Sequence, residues 1–262
     1  MLQQLPIQLN VFLKLLKRDL KIFANNSIDN YINTLCWVIL CLLVYQFIMP
    51  KMGMIFEGDF LLVSCVISKT FFGIMDNVTN IVADLDDNKT ISYDMTLPIS
   101  HTLLFIKIAI SNAIYTCLLS ILVLPAGKIL LWNYLHFPHF NYLKFFIIIF
   151  VSSLFAGFFS LFIIGITKSI MQIEDIWSGI IHPLFTLGGF NFTWKVVFKI
   201  SPFLAYLNLC NPVMYMFEGM RGATLDPAMS LSFWICITML ILFSVPMGYI
   251  GVYLLKKRLD AI

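Results

Sequence analysis

Long runs of hydrophobic residues dominate the chain, and most polar residues are confined to the shorter stretches between them. Six of these runs are close to or above the roughly 20 residues with which an α-helix crosses a bilayer. We therefore predict an all-α integral membrane protein with six membrane-spanning helices over residues 31–49, 60–82, 102–124, 143–167, 171–189 and 231–255. The prediction leaves no soluble domain. Residues 1–262 form one transmembrane domain, with a bundle over 31–255 and a tail over 256–262.

A different pattern precedes the first span. Over residues 5–26 the apolar positions recur at i, i+3, i+4 and i+7, which indicates an amphipathic helix. The apolar face consists of Leu9, Phe12, Leu13, Leu16, Leu20 and Phe23, and the polar face of Asn10, Lys14, Lys17, Arg18 and Lys21. A helix with such a basic face is expected to lie in the cytoplasmic membrane interface. The alternative is a helix packed against a soluble partner.

Basic residues determine the expected orientation. The amphipathic helix is basic, and so is the tail with Lys256, Lys257 and Arg258. Six spans put both ends of the chain on the same side, and an excess of lysine and arginine marks the cytoplasmic side. We predict a multi-pass protein of a cell's cytoplasmic membrane with both termini in the cytoplasm.

Composition agrees with the pattern of spans. Hydrophobic residues make up 60% of the chain and charged residues 12%, whereas soluble domains contain about 25% charged residues. The formal net charge of +3 is small, and nucleic acid is not among the predicted partners. None of the cysteines forms a Cys-x-x-Cys motif, and we interpret them as small hydrophobic residues.

Motifs for catalysis are missing from the sequence. It contains no P-loop, no His-Glu-x-x-His and no Gly-x-Ser-x-Gly. His136 and His139 lie three apart in a predicted outer loop, but no cysteine or acidic residue accompanies them as a further metal ligand. We predict no enzymatic activity, no metal and no cofactor for this chain.

The loop after the second span is acidic. Residues 83–100 read "ADLDDNKTISYDMTLPIS" and contain Asp84, Asp86, Asp87 and Asp94, with Pro98 before the next span. One interpretation is a solvated connector with a turn at Asp87 and Asn88. The other is a docking element in which a short helix begins near Asp86 and presents its acidic end to a soluble partner.

A few charged residues lie within or beside the spans. Lys69 and Asp76 are in the second span, where a charge costs at least about 2.5–3.5 kcal/mol on insertion scales. They are seven positions apart, too far for an easy direct ion pair, so pairing with another helix and lining of a pathway both remain open. In the fifth span, Glu174 and Asp175 suit the positive end of the helix dipole, and His182 followed by proline predicts a kink.

The region before the last span contains short elements. Pro202 divides its first part, Asn211 suits a helix cap, and Pro212 suits the first helical position. Gly222 suits a helix end, and the stretch between carries Glu218 and Arg221 on one face. We predict two short helices that re-enter the outer leaflet. The alternative is an amphipathic lid on the outer surface.

These features together resemble a known family. The six spans, the amphipathic helix, "LGGFNF", "LNLCNPVMYMFEGMRGATL", "DLDDNKTISYDMTLPIS" and "IEDI" are similar in order and spacing to ABC-2 type transporter permeases. The resemblance implies the membrane subunit of a bacterial inner-membrane ABC exporter. Two copies of this chain would pair and bind two copies of a separate ATPase subunit, which would hold ATP and magnesium.

The resemblance also implies roles for particular residues. The docking surface for the ATPase would comprise Lys14, Lys17, Arg18 and Lys21 of the first helix and Asp84, Asp86, Asp87, Asn88, Lys89, Thr90 and Pro98 of a coupling loop. The translocation path would include Lys69, Asp76, Glu174, Asp175 and His182. The outer gate would include Asn211, Pro212, Glu218 and Arg221.

The cargo is not specified by the sequence. An amphipathic, drug-like, lipid or glycan substrate is compatible with the chain. The alternative function is a stand-alone secondary transporter of a small solute, which would require inverted repeats and paired charges at the midplane. No convincing repeat is apparent in the sequence. A membrane-embedded enzyme would need a cluster of histidine or acidic residues at one depth, and the sequence shows none.

Overall fold

The computed structural model describes residues 5–25, 27–52, 58–85, 90–130, 137 and 139–259, and within these ranges every regular element is helical. The α-helices are α1 (Leu5–Asn25), α2 (Ser27–Leu43), α3 (Gly58–Ala83), α4 (Thr90–Asp94), α5 (His101–Leu130), α6 (Tyr142–Ile166), α7 (Ile173–Ile176), α8 (His182–Leu187), α9 (Trp194–Ile200), α10 (Pro202–Asn208), α11 (Pro212–Thr224) and α12 (Phe233–Leu259). Shorter 3₁₀ and π segments link or extend several of them.

Five helices in the described part of the chain are long and apolar enough to cross a membrane. They cover Ile28–Met52, Gly58–Ala83, His101–Ile129, Tyr142–Ile166 and Phe233–Arg258. These five match the predicted first, second, third, fourth and sixth spans, with ends that differ by several residues in places. The all-helical membrane fold is therefore confirmed, and the predicted fifth span stays a prediction.

The predicted fifth span is a chain of short helical pieces. A 3₁₀ turn over Ile170–Gln172 leads into α7, a π-helix over Trp177–Ile181 follows, and α8 completes the segment. Pro183 lacks a backbone N–H and removes an α-helical hydrogen bond, and the π-helix ends directly before His182 at the start of α8. The kink predicted at His182 and Pro183 stays a prediction, and a π-helix lies directly before these two residues.

Helix α6 lies at the centre of the bundle. It packs against α3, α5, α11 and α12, and small residues make the closest of these contacts possible. A Cβ atom added to Gly157 would lie 2.2 Å from the carbonyl oxygen of Ala109 on α5. The two backbones therefore approach as closely as glycine permits, which sets the packing of α5 on α6.

Three short helices, rather than two, precede the last span. Ser201 caps α10 and Pro202 separates it from α9. Asn211 caps α11 by accepting a hydrogen bond from the Val213 N–H at 3.0 Å. Helix α11 continues past Gly222 to Thr224, so the end predicted at Gly222 is wrong by two residues.

Helix α11 is buried along its whole length. Each of its residues is buried, and the helix packs against α3, α6 and α12. A lid on the outer surface would leave one face exposed, so the lid interpretation does not describe this helix. The burial also means that its charged residues must find partners within the protein.

Candidate functional site

An ion-pair network joins the first helix to the loop after α3. Arg18 on α1 donates two parallel hydrogen bonds to the carboxylate of Asp94, at 2.8 and 2.7 Å. Lys107 on α5 donates to Asp19 at 2.7 Å, and its Nζ lies 3.8 Å from Asp94 Oδ2. This Arg18–Asp94–Lys107–Asp19 network connects α1, α4 and α5.

Two members of this network are buried. The side chains of Asp94 and Lys107 are each only 4% exposed, where an unpaired charge would be costly. The hydrogen bonds from Arg18 to Asp94 and the negative charges of Asp94 and Asp19 raise the pKa of Arg18 above its ordinary value, and they outweigh the opposing effect of burial. Arg18 therefore stays charged throughout the physiological pH range.

The network corrects one prediction about the acidic loop. Asp94 is not presented to a soluble partner, because it is enclosed and paired within the chain. Lys107 and Asp19 are absent from the sequence-based prediction. A lysine within an apolar span is a recognisable signal, because such a charge needs a partner, but the partner itself could not be identified from spacing along the chain.

The short helix predicted in the loop is present as α4. Asp84 accepts hydrogen bonds from the backbone N–H groups of Thr90 and Ile91, at 3.2 and 2.9 Å, and so holds the first turn of α4. The predicted start near Asp86 lies outside the described residues, as do Asp86, Asp87, Asn88 and Lys89 themselves.

An exposed surface surrounds the network. Lys14, Lys17 and Lys21 of α1 are exposed, and so are Thr90 and Pro98 of the loop. The predicted docking residues in the described ranges therefore divide into two groups. These five lie at the surface, whereas Arg18 and Asp84 hold the loop in place.

Lys69 and Asp76 form a direct but long contact. The Lys69 Nζ lies 3.9 Å from Asp76 Oδ2, so the two side chains do meet within their own helix, although at a distance that is long for an ion pair. The reach of the lysine side chain covers much of the two helical turns between them. The side chain of Asp76 is 53% exposed and that of Lys69 is 17% exposed, so the pair faces open space.

That space is a cavity of about 940 Å³ between α1, α2, α3 and α5. Lys69 and Asp76 line it together with Arg18, Asp94, Lys107 and Asp84. The structure thus brings residues predicted for docking and residues predicted for translocation to one cavity. Asn77, which follows Asp76, also lines the cavity and donates a hydrogen bond to Ser160 on α6 at 3.0 Å.

The remaining predicted path residues lie elsewhere. Glu174, Asp175 and His182 are exposed, and none of them lines this cavity. The segment that carries them touches α3 through aromatic rings, with Phe72 beside Trp177 and Phe185 at centroid distances of 5.5 and 4.6 Å. The five predicted path residues therefore do not form one site within a single chain.

The predicted outer gate contains a buried ion pair. Arg221 Nη1 lies 3.4 Å from Glu218 Oε1, and the two side chains are 2% and 0% exposed. Glu218 also accepts hydrogen bonds from the backbone N–H groups of Trp194 and Leu231, at 3.0 and 2.7 Å. Its carboxylate thereby fixes the starts of two neighbouring segments to α11.

Arg221 extends these connections to α3. Its guanidinium donates to the backbone carbonyl groups of residues 189, 190 and 192, the last two at 3.1 and 2.7 Å, and to Ser64 Oγ at 2.9 Å. Gly189 supplies the first of these carbonyls from a turn with a φ of 94°, a backbone conformation that favours glycine. The guanidinium also lies 3.9 Å from the ring centroid of Phe60.

The other two predicted gate residues lie at the start of the same helix. Asn211, besides capping α11, donates to the carbonyl of Leu184 on α8 at 2.7 Å. Pro212 takes the first helical position, as predicted. Trp194 and Ser64 are absent from the prediction, since neither a tryptophan nor a serine in an apolar stretch marks a partner for a buried charge.

The described residues contain no group of three or more histidine, cysteine or acidic side chains arranged for a metal ion. His139 is exposed at the start of the segment before α6, and His136 lies outside the described residues.

The family profile of the ABC-2 type transporters matches residues 10–225. The match covers most of the chain, from α1 through α11, and so includes both the ion-pair network and the buried Glu218–Arg221 pair. The chain belongs to the ABC-2 type transporter family and is a multi-pass membrane permease. A search of the curated proteins found no significant match.

Proposed function

We propose that the chain is the permease subunit of an ATP-driven ABC exporter in a bacterial inner membrane. It moves an amphipathic, drug-like, lipid or glycan substrate out of the cytoplasm by alternating access. Two copies associate with each other within the membrane. Each copy binds one copy of a separate ATPase subunit, which holds ATP and magnesium.

The Arg18–Asp94–Lys107–Asp19 network is the observation that carries this proposal. Loops and helices that dock a soluble motor must transmit its movement to the spans, and a rigid, buried connection serves this purpose. The network ties α1 and the loop after α3 directly to α5 by charge-assisted bonds, which are about twice as strong as neutral hydrogen bonds. A displacement of the exposed surface of α1 or α4 is therefore transmitted to the membrane-spanning helix α5.

The docking surface in this proposal is the exposed side of the same unit. It comprises Lys14, Lys17 and Lys21 with Thr90, Tyr93 and Pro98, and Tyr93 is 65% exposed. Asp86, Asp87, Asn88 and Lys89 belong to the same loop and complete the coupling element.

The translocation path in this proposal lies between the two copies. Helix α3 and the segment from Ile170 to Leu187 contribute from each copy, and the exposed Glu174, Asp175 and His182 belong to that segment. The segment is the fifth of the six spans in the proposed topology, which places both termini in the cytoplasm. Helix α11 and its buried pair form the outer gate.

A reconstitution experiment tests the proposal. The purified chain alone should not hydrolyse ATP. Liposomes that contain the chain should show ATP-dependent transport only when the partner ATPase is also present. A cysteine at Thr96, on the exposed part of the coupling loop, should crosslink to that ATPase.

A cysteine at Tyr142, exposed at the start of α6, is the matched control and should not crosslink, because it lies on the outer side in the proposed topology. Solute transport by the isolated chain, driven by an ion gradient, would identify a secondary transporter and overturn the proposal. So would crosslinking from Tyr142 in place of Thr96.

A further inference from the structure

The cavity between α1, α2, α3 and α5 contains two kinds of charged residues. Arg18, Asp94, Lys107 and Asp19 satisfy one another at short distances, and Asp84 holds the backbone of α4. These charged groups are therefore already paired within the fold.

Lys69 and Asp76 differ from the other charged residues of the cavity. Within the described part of the chain, the only ion pair or hydrogen bond recorded for either side chain is their contact at 3.9 Å. A charge-assisted hydrogen bond between an ammonium and a carboxylate is normally about 2.7–2.9 Å long. Both groups therefore retain capacity for a ligand, and both are accessible from the cavity.

The charges of this pair select a class of ligand. One cation and one anion side by side carry no net charge, so an anionic ligand that approached Lys69 would be repelled by Asp76. A ligand with one negative and one positive group can satisfy both residues at once. The complementary ligand is a zwitterion.

Other residues of the cavity supply hydrogen-bond donors. Asn112 lines the cavity and is only 4% exposed, and its amide nitrogen has no hydrogen-bond partner among the described residues. A buried donor without a partner costs about 1–3 kcal/mol, and a ligand oxygen would remove that cost. Asn80 and Ser111 also line the cavity.

The surroundings favour a lipid as the source of the zwitterion. Apolar side chains, among them Phe23, Ile81 and Ile108, also line the cavity. One of its walls is α1, whose amphipathic pattern places it at the depth of the lipid headgroups. A headgroup with its glycerol attached would meet both polar and apolar groups in this cavity.

We propose that this cavity binds the headgroup of a zwitterionic aminophospholipid, with the phosphate against Lys69 and the amine against Asp76. The shared chemistry is a phosphate and a primary amine two carbons apart, as in phosphatidylethanolamine and in free O-phosphoethanolamine. The bound lipid bridges α1 to α3 and α5 beside the ion-pair network. The site goes beyond the proposed transport function and does not depend on the direction of transport.

Native mass spectrometry of the detergent-solubilised full-length chain tests the proposal. The protein is titrated separately with phosphatidylethanolamine, phosphatidylglycerol and phosphatidylcholine, and the bound lipids are counted. The wild-type protein should retain phosphatidylethanolamine most strongly. Phosphatidylcholine should bind more weakly, because its trimethylated nitrogen cannot donate a hydrogen bond to Asp76.

Two substitutions change the charge of the site in opposite directions. Lys69→Gln should weaken phosphatidylethanolamine binding about tenfold, as expected for the loss of one charge-assisted contact. Asp76→Asn should leave Lys69 without its opposing carboxylate and shift the preference towards phosphatidylglycerol. Misfolding cannot produce such a gain. Lys199→Gln, on exposed α9 away from the cavity, is the matched control and should bind like the wild type.

Three results would overturn the proposal. The first is equal retention of the three lipids by the wild-type protein. The second is an unchanged lipid preference in Asp76→Asn. The third is displacement of the bound lipid by free O-phosphoethanolamine at the same concentration, which would make the ligand a soluble zwitterion. None of these measurements involves ATP or transport, so failure here leaves the permease proposal standing.

Discussion

Arg18 and Asp94 are 76 positions apart in the chain, yet their side chains meet through two parallel hydrogen bonds of 2.8 and 2.7 Å. The guanidinium and the carboxylate have matching planar geometries, and such a two-bonded pair fixes orientation as well as distance. Because Lys107 lies 3.8 Å from the same carboxylate, the contact holds α1, α4 and α5 as one unit.

Neutralising Asp94 should loosen this unit. We expect Asp94→Asn to lower the free energy of unfolding by about 1.5–3 kcal/mol, the contribution of hydrogen bonds to charged groups. ATP-driven transport should fall further than stability alone explains, because α4 is no longer held to α1. Lys199→Gln, a change on exposed α9 away from the docking surface, is the control. Thermal unfolding and transport in proteoliposomes measure the two effects, and identical behaviour of the two variants would contradict a coupling role.

Arg221 should not tolerate replacement by lysine. A lysine keeps the charge but cannot supply the several fixed donors that serve three carbonyl groups and Ser64. We expect Arg221→Lys and Arg221→Gln both to destabilise the protein, the latter by about 3–5 kcal/mol because Glu218 is left as an unpaired buried charge. Lys199→Gln on α9 is the control. Wild-type unfolding temperatures for both Arg221 variants would mean that the buried contacts contribute little.

Exchanging Glu218 and Arg221 should fail to restore function. Glu218 accepts from two backbone N–H groups and Arg221 donates to three backbone carbonyls. The exchanged side chains would therefore face backbone groups of the wrong polarity. Transport by the double variant should stay as low as that of Glu218→Gln, measured on equal amounts of folded protein. Recovery in the exchanged variant would show that only the mutual attraction of the pair matters.

Gly157 should be sensitive to the addition of one methyl group. The new Cβ atom would lie 2.2 Å from the backbone carbonyl oxygen of Ala109, and a backbone atom of a packed helix cannot move away cheaply. We expect Gly157→Ala to lower the free energy of unfolding by about 1–3 kcal/mol. Gly179→Ala has nothing within 4 Å of the new atom and should be nearly neutral. Equal unfolding temperatures of the two variants would contradict the close packing of α5 on α6.

The segment from Ile170 to Leu187 should cross the membrane. In the proposed topology, cysteines introduced at Lys168 and Lys195 then lie on opposite sides. A membrane-impermeant thiol reagent added outside intact cells should label the cysteine at position 195 and not the one at 168, in a background without the native cysteines. Labelling of both positions from the same side would leave five spans and put the termini on opposite sides.

Hydrophobic patterning alone predicted most of the helices. A run of about 20 apolar residues has few alternatives to a helix in a bilayer, because every backbone polar group must be paired within the segment. Local caps were equally readable, since Asn211 and Pro212 act on residues next to them in the chain. The pairing of Glu218 with Arg221 could be predicted for the same reason, because side chains three positions apart on one helix lie close together.

Only the tertiary structure decided which distant residues meet. The partners of Asp94 lie on α1 and α5, and those of Arg221 on α3 and in the turn around Gly189. These contacts depend on how the helices pack, and packing follows from many small fits such as that of Gly157 against Ala109. The charged groups of Lys69 and Asp76 also lie closer together than the helical rise between the two positions suggests, because the long lysine side chain spans much of that distance. Sequence thus determined the helices, while packing determined the cavity and the buried networks between them.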